Sequence, residues 1–138
     1  MSNPEANMKI MSRYIEALTK GDYKTLEELL CDELEHNLSR SGMDVSISGS
    51  ADAVNAARQA GPIDVKVHDV FASGDKVVGR YSYTISSDVV PNAQPGKTTE
   101  VSGIVITRIA NNEIVEVWHE QDALGMHLAF GLVPQPVA

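Results

Sequence analysis

One cysteine, Cys31, is all the chain has, so no internal disulfide can staple it and its stability must come from a packed core. Two phenylalanines and one tryptophan, Trp118, leave aliphatic side chains to fill most of that core. Positive charge is scarce. Eleven Lys and Arg stand against 19 Asp and Glu, the formal net charge is −8, and no Lys/Arg cluster offsets it locally. Such a surface repels phosphate backbones, which argues against nucleic-acid binding. No apolar run approaches the roughly 20 residues needed to span a bilayer, so no membrane partner is expected. The stretch MSNPEANMKIMSRY lacks the basic-then-apolar build of a signal peptide, which makes a cytoplasmic location the expectation. Metal-ligand spacing is missing too: there is no His-x-x-x-His and no cysteine pair, so neither metal nor other cofactor is expected. Cys31, in ELLCDELEH, has acidic neighbours that disfavour a thiolate nucleophile, and it reads as a buried structural side chain.

What is present is strongly patterned. At 138 residues the chain suits one domain, residues 1–138, with a core of its own. Met8, Met11, Ile15 and Leu18 recur at spacings of three and four, a helical stripe running from Pro4 to about Lys20 and ended by Gly21. Asp22 is placed to N-cap a second short helix, YKTLEELL. A short extended piece is expected around Glu33–Leu38, then a loop, SRSGMD. Ser50 suits the N-cap of a third helix, ADAVNAARQA, which Gly61-Pro62 stops. From Ile63 the period falls to two. IDVKVHDVFA and KVVGRYSYTIS flank a Ser73-Gly74-Asp75 turn, and DVVPNAQPGK reads as a loop. TTEVSGIVITRIA and EIVEVWHEQ form a hairpin across Asn111-Asn112, residues that tolerate positive φ. Helices followed by long antiparallel strands imply an α+β architecture, with helices on one face of a curved, mostly antiparallel sheet and a pocket between the layers.

Particular words carry this order. SGDKVVGRYSYT joins a glycine-aspartate turn to a strand with Arg80; PGKTTEVSGIVITRIANNEIVEVW is a Pro-Gly-Lys loop and final hairpin; HEQDALG and FGLVP supply a closing Asp and a terminal segment. Together they resemble the SnoaL-like polyketide cyclases of the nuclear transport factor 2-like superfamily. The resemblance implies a cone-shaped α+β barrel, with three N-terminal helices on the sheet and a short C-terminal helix. It also implies a homodimer formed through the outer sheet face. The implied activity is that of a cofactor-independent lyase or isomerase working on a small hydrophobic carbonyl substrate, by intramolecular aldol-type cyclisation or proton transfer. The same scaffold carries epoxide hydrolases, dehydratases and non-catalytic binding modules, which stand as alternatives. Two positions depart from the family pattern. Ser87 and Asp88 stand where members often carry a His, and Ala129-Phe130-Gly131 replaces a usual Gln-Leu-Gly.

The resemblance puts the general acid/base at Asp122, which matches the closing Asp, and apolar burial is what would raise such a carboxylate toward working pH. Placed just before ALGMHLAF, Asp122 reads equally well as a helix N-cap. If the last strand stays regular, Trp118, Glu120 and Asp122 share one face, and Val117, His119 and Gln121 share the other. Trp118 is then expected as the apolar wall of the pocket with Glu120 beside it, and His119 outside. Epoxide opening or dehydration would need Glu120 to work with Asp122. His36, in LEHN, matches a His-Asn pair of the family that tends to point inward, and is placed to hold a substrate carbonyl. Tyr14, close to the stripe of the first helix, is placed to donate to a developing oxyanion. Tyr81 and Tyr83 share a strand face, and Tyr83 is expected to touch substrate. Arg80 is expected to pair with an acidic neighbour, His68 to face solvent, and His127 to lie on the rim of the terminal helix.

Overall fold

Turns and caps written into the sequence set most of the frame. The computed structural model describes residues 3–40 and 43–134, and for residues 36, 38–40 and 43–47 it describes the backbone alone. In chain order the elements are α1 (Pro4–Lys20), α2 (Tyr23–Leu29), β1 (Leu30–Arg40), β2 (Met43–Ser48) and α3 (Ser50–Ala60). They continue with β3 (Val65–Ser73), β4 (Lys76–Ser86), β5 (Thr98–Ala110), β6 (Glu113–Gln121) and α4 (Ala123–Ala129). Asn3 opens α1 by accepting hydrogen bonds from Glu5 N at 3.1 Å and Ala6 N at 3.2 Å, and Gly21, at φ 70°, closes it. Asp22 caps α2 through Thr25 N at 3.2 Å. The N-cap of α3 is Gly49, without a side-chain bond, one residue earlier than the expected Ser50. The expected SRSGMD loop is also corrected. Ser39 and Arg40 still belong to β1, and Met43, paired with Arg40, begins an edge strand, while residues 41–42 lie outside the described residues.

The strands form one curved, open sheet in the order β2-β1-β6-β5-β4-β3. Every neighbouring pair is antiparallel except β1 with β6, which is parallel. Asn111 and Asn112, at φ 53° and 62°, make the tight β5–β6 turn, a backbone region that asparagine enters at low cost. Helix α1 packs across β3 and β4 and buries Ile10, Met11, Tyr14 and Ile15. Met11, Leu26, Val77, Ile114 and Val117 are all but inaccessible, and each such side chain contributes about 1.5–3 kcal/mol by leaving water. Thr107, between Val77 and Val117, is fully buried with a hydroxyl that has no hydrogen-bond partner.

One irregularity decides which groups face the helices. The β5–β6 register jumps between Arg108/Glu116 and Ile109/Ile114, which leaves Val115 as an extra residue. Both Ile114 and Val117 therefore turn inward, each with no exposed surface.

Candidate functional site

Trp118 stands on β6 between Glu116 and Glu120, and a strand that turned it inward would bury two carboxylates with it. The structure does the reverse. Val117, His119 and Gln121 lie on the helix-covered face, while Glu116 pairs with Arg108 Nη2 on the outer face at 2.6 Å. Arg80, as expected, pairs with Asp69 there at 2.6 Å. The expected pocket wall of Trp118 and Glu120 is corrected accordingly. Trp118 stands in an outer register Phe71–Val78–Ile106–Trp118 that crosses four strands, and Glu120 is exposed. The alternation signal was in the sequence, since Glu116 and Glu120 flank the tryptophan, and it outranks the pull of an aromatic toward the core.

Asp122 ends β6. Its N–H donates to Ser102 O at 3.0 Å, and its exposed carboxylate accepts from Gly125 N at 2.9 Å, so it caps α4. Gly125 lacks the Cβ that would stand where this carboxylate sits. His36 pairs through its backbone with Val117 and Ile47; its side chain lies outside the described residues. His68 is exposed, with Nε2 2.9 Å from Ser82 Oγ. Cys31, expected to be buried, is half-buried.

The inner face of β4 and β6 holds a continuous hydrogen-bonded chain. Tyr83 Oη donates to Gln121 Oε1 at 2.9 Å, and Gln121 Nε2 donates to Tyr81 Oη at 3.0 Å. Tyr81 Oη in turn lies 3.1 Å from His119 Nδ1. Tyr81 and Tyr83 stack at 6.3 Å, and the imidazole of His119 meets Tyr81 edge-on at 6.0 Å. Two strand spacings, roughly 10 Å, separate Tyr81 from Gln121. The residue between them in register is Gly103. A Cβ there would stand 2.7 Å from Tyr81 Oη and 2.9 Å from Glu120 O, so the phenol reaches across the sheet because this position has no side chain. Neither His119 nor Gly103 was expected at the site; the strand alternation of Tyr81 and Tyr83 pointed to this face.

Tyr14 is buried against the same core. Burial raises its phenol far above the usual tyrosine range, and the proximity of Tyr81 adds to the shift. Tyr81 is pushed up to about 12 by burial, with the Gln121 hydrogen bond opposing the shift and Tyr83 adding slightly to it. Both phenols thus stay protonated at neutral pH, as donors. Tyr83, Gln121 and His119 are half-buried. Such a cluster can hold a carbonyl or enolate oxygen and exchange a proton with it. Two surface clefts lie elsewhere: one of about 170 Å³ beside Arg13 and Lys20, and one of about 440 Å³ among Asn3, Asn7, Asp75 and Asn111. Among the described residues, no group of three or more His, Cys, Asp or Glu is placed to hold a metal ion. No helix among them is long and apolar enough to cross a membrane.

Solved structures share this fold. A candidate SnoaL-like polyketide cyclase of Jannaschia sp. CCS1 is 18% identical, with 95% of each chain covered and a TM-score of 0.79. A LEH-like epoxide hydrolase of M. tuberculosis is 15% identical, covering 94% of this chain and 92% of that one, with a TM-score of 0.75. IdmH, a candidate polyketide cyclase of Streptomyces antibioticus, is 23% identical, covering 91% and 98%, with a TM-score of 0.74. No curated protein matches the sequence. The SnoaL-like polyketide cyclase family matches over residues 8–129, nearly the whole described chain. The chain belongs to the SnoaL-like polyketide cyclase family.

Proposed function

We propose that the protein is a cofactor-independent lyase or isomerase that acts on a hydrophobic carbonyl compound, and that His119 and the Tyr81 network hold the oxygen on which negative charge develops. The observation that carries this reading is the chain Tyr83–Gln121–Tyr81–His119 on the inner face. Donors fixed before reaction stabilise a developing oxyanion without reorganising. Tyr14, protonated and buried nearby, is a further donor. Asp122, one residue past Gln121, takes the role of base. An exposed carboxylate is a weak base, which restricts the substrate to compounds whose C–H is flanked by two carbonyls. The proton passes to Asp122 and the C–H electron pair becomes the enolate. In cyclisation that carbon attacks a second carbonyl, and the resulting alkoxide takes the proton back. In isomerisation the proton returns to a different carbon. Epoxide opening is the weaker reading, because it needs two cooperating carboxylates and Glu120 lies on the outer face. Two copies joined through that outer face, where Phe71 and Ile104 are exposed, complete the reading.

The test is deuterium wash-in at the central carbon of hydrophobic 1,3-dicarbonyl probes, followed by NMR. Wild type should exchange faster than buffer, and His119→Leu should lower the enzyme-dependent rate about a hundredfold, the usual loss of one oxyanion donor. An unchanged rate in His119→Leu would reject the assignment. No exchange with any probe would instead favour a binding module.

A further inference from the structure

We propose that the cleft between the N-terminus of α1 and the two hairpin turns of the sheet is a binding site for a neutral sugar, one hexopyranose unit held by Asn3, Asn7 and Asp75. Asn7 carries the inference. It has only 7% of its surface exposed, and it lines this cleft of about 440 Å³. Among the described residues its carboxamide has no hydrogen-bond partner, yet neither of its polar atoms is sealed from solvent as Thr107 Oγ1 is. The amide therefore opens into the cleft. A polar group so deeply buried and unpartnered weakens the fold, and a ligand that bonds it offsets that loss. Asn3 Oδ1 is already taken by Glu5 N and Ala6 N, so Asn3 has its Nδ2 left as a donor. The carboxylate of Asp75, which only accepts, has no partner among the described residues. The carbonyl of Asp75 accepts from Ile109 N at 2.8 Å, which ties the two turns into one wall. A hydroxyl both donates and accepts, so neighbouring hydroxyls of a pyranose suit a donor at Asn3, both functions at Asn7 and an acceptor at Asp75. Ile109 adds apolar surface for the C–H face of the ring. An anion is disfavoured, because among the described residues Asp75 lines the cleft and no Lys or Arg does. A metal ion would find a single carboxylate there. The volume falls within the range of small-molecule sites. Tyr81 stands six residues beyond Asp75 along β4, roughly 20 Å in an extended strand, so this ligand is not the group that reacts at the Tyr81 network.

The site is independent of the proposed function, and its test needs no catalysis. ¹⁵N-labelled protein is titrated with the methyl pyranosides of glucose, galactose and mannose, and the asparagine side-chain and backbone amides are followed by NMR. At least one glycoside should give saturable shifts at Asn3, Asn7 and residues 109–112. Asn7→Leu keeps the shape of the side chain without its hydrogen bonds, and should weaken that binding about tenfold. The same substitution should raise the urea midpoint, because it removes an unpartnered buried amide. A lower midpoint would mean that the carboxamide is satisfied within the protein, and would overturn the proposal. If Asn7→Leu does not fold, Asp75→Ala takes its place: a loss of about tenfold supports the site, and unchanged affinity rejects it. Silence with all three glycosides would also overturn it. So would shifts with glycerol equal to those with the glycosides, which mark surface solvation alone. Saturable shifts with ethylammonium chloride and none with the glycosides would make this a cation site, and the sugar assignment would fall.

Discussion

Replacing Gly103 with alanine tests whether the missing side chain is what lets Tyr81 reach across the sheet. The added Cβ would lie 2.7 Å from Tyr81 Oη, 2.8 Å from Tyr81 Cζ and 2.9 Å from Glu120 O, against about 3.4 Å for ordinary contact. The backbone oxygen belongs to a paired strand and cannot retreat, so the phenol must move by more than half an ångström. That stretches its bonds to Gln121 and His119 beyond hydrogen-bond range. Two hydrogen bonds at about 1 kcal/mol each, with about 1–3 kcal/mol for overpacking, are offset by the 0.5–1 kcal/mol by which alanine outperforms glycine in a strand. The net loss should be about 2–4 kcal/mol, a fall in Tm of about 10 °C for a chain of this size. Thermal and urea unfolding of Gly103→Ala measure it directly. The same substitution in a Tyr81→Leu background supplies the control: with the phenol gone, it should cost at least 1 kcal/mol less. A cost below about 0.5 kcal/mol, or an equal cost in both backgrounds, would show that Gly103 does not make room for Tyr81.

Thr107→Val removes a buried hydroxyl that has no partner, and should raise the urea midpoint by the equivalent of about 1 kcal/mol without changing the slope; a lower midpoint would mean that the hydroxyl is satisfied. Asp122→Ala should cost about 1 kcal/mol through loss of the α4 cap. Asp122→Asn keeps the cap, so slower deuterium exchange at unchanged stability would mark a base, and an unchanged rate would leave Asp122 as a cap alone. The raised phenols of Tyr14 and Tyr81 contribute stability that is complete below pH 10. It should be lost as pH climbs toward 12, at about 1.4 kcal/mol per pH unit for each phenol, because unfolding releases their protons. Tyr81→Phe should flatten that decline, and an identical slope would contradict the burial argument. Phe71→Glu should halve the mass seen by sedimentation if two copies meet through the outer face; an unchanged mass would remove that assembly.

The sequence made β4, β5 and β6 readable to the residue because positive-φ turns punctuate them at Gly74 and at Asn111-Asn112. The Arg80–Asp69 pair and the Asp22 cap were readable for the same reason: they depend on neighbours in sequence or on a simple alternation. Strand β2 was not, since MDVSIS is a short edge strand whose pairing partner, not its own composition, makes it extended. On β6 the flanking Glu116 and Glu120 marked Trp118 as outward, but a bulge hid how Ile114 faces. Ile114 and Trp118 would share a face in a regular strand, and the extra Val115 puts Ile114 inside and Trp118 outside. The Tyr81 network was half visible, with the paired tyrosines in plain alternation. The opening at Gly103 is a contact across two strands that no local pattern announces.

The lone parallel pairing of β1 with β6 also governs when this molecule can become itself during synthesis. β6 lies in the middle of the sheet, and Glu35 finds its partner, Glu116, about 80 residues later. On the ribosome, α1, α2 and the β1–β2 hairpin must wait with an unmatched edge until β6 has emerged. The β1–β2 hairpin and the β3–β4–β5 meander assemble from sequential neighbours, but only β6 joins the two. Closure of the sheet, burial of Val117 and arrival of His119 beside Tyr81 are therefore one late event, so a nascent chain that has not yet released β6 holds neither the finished core nor the proton chain.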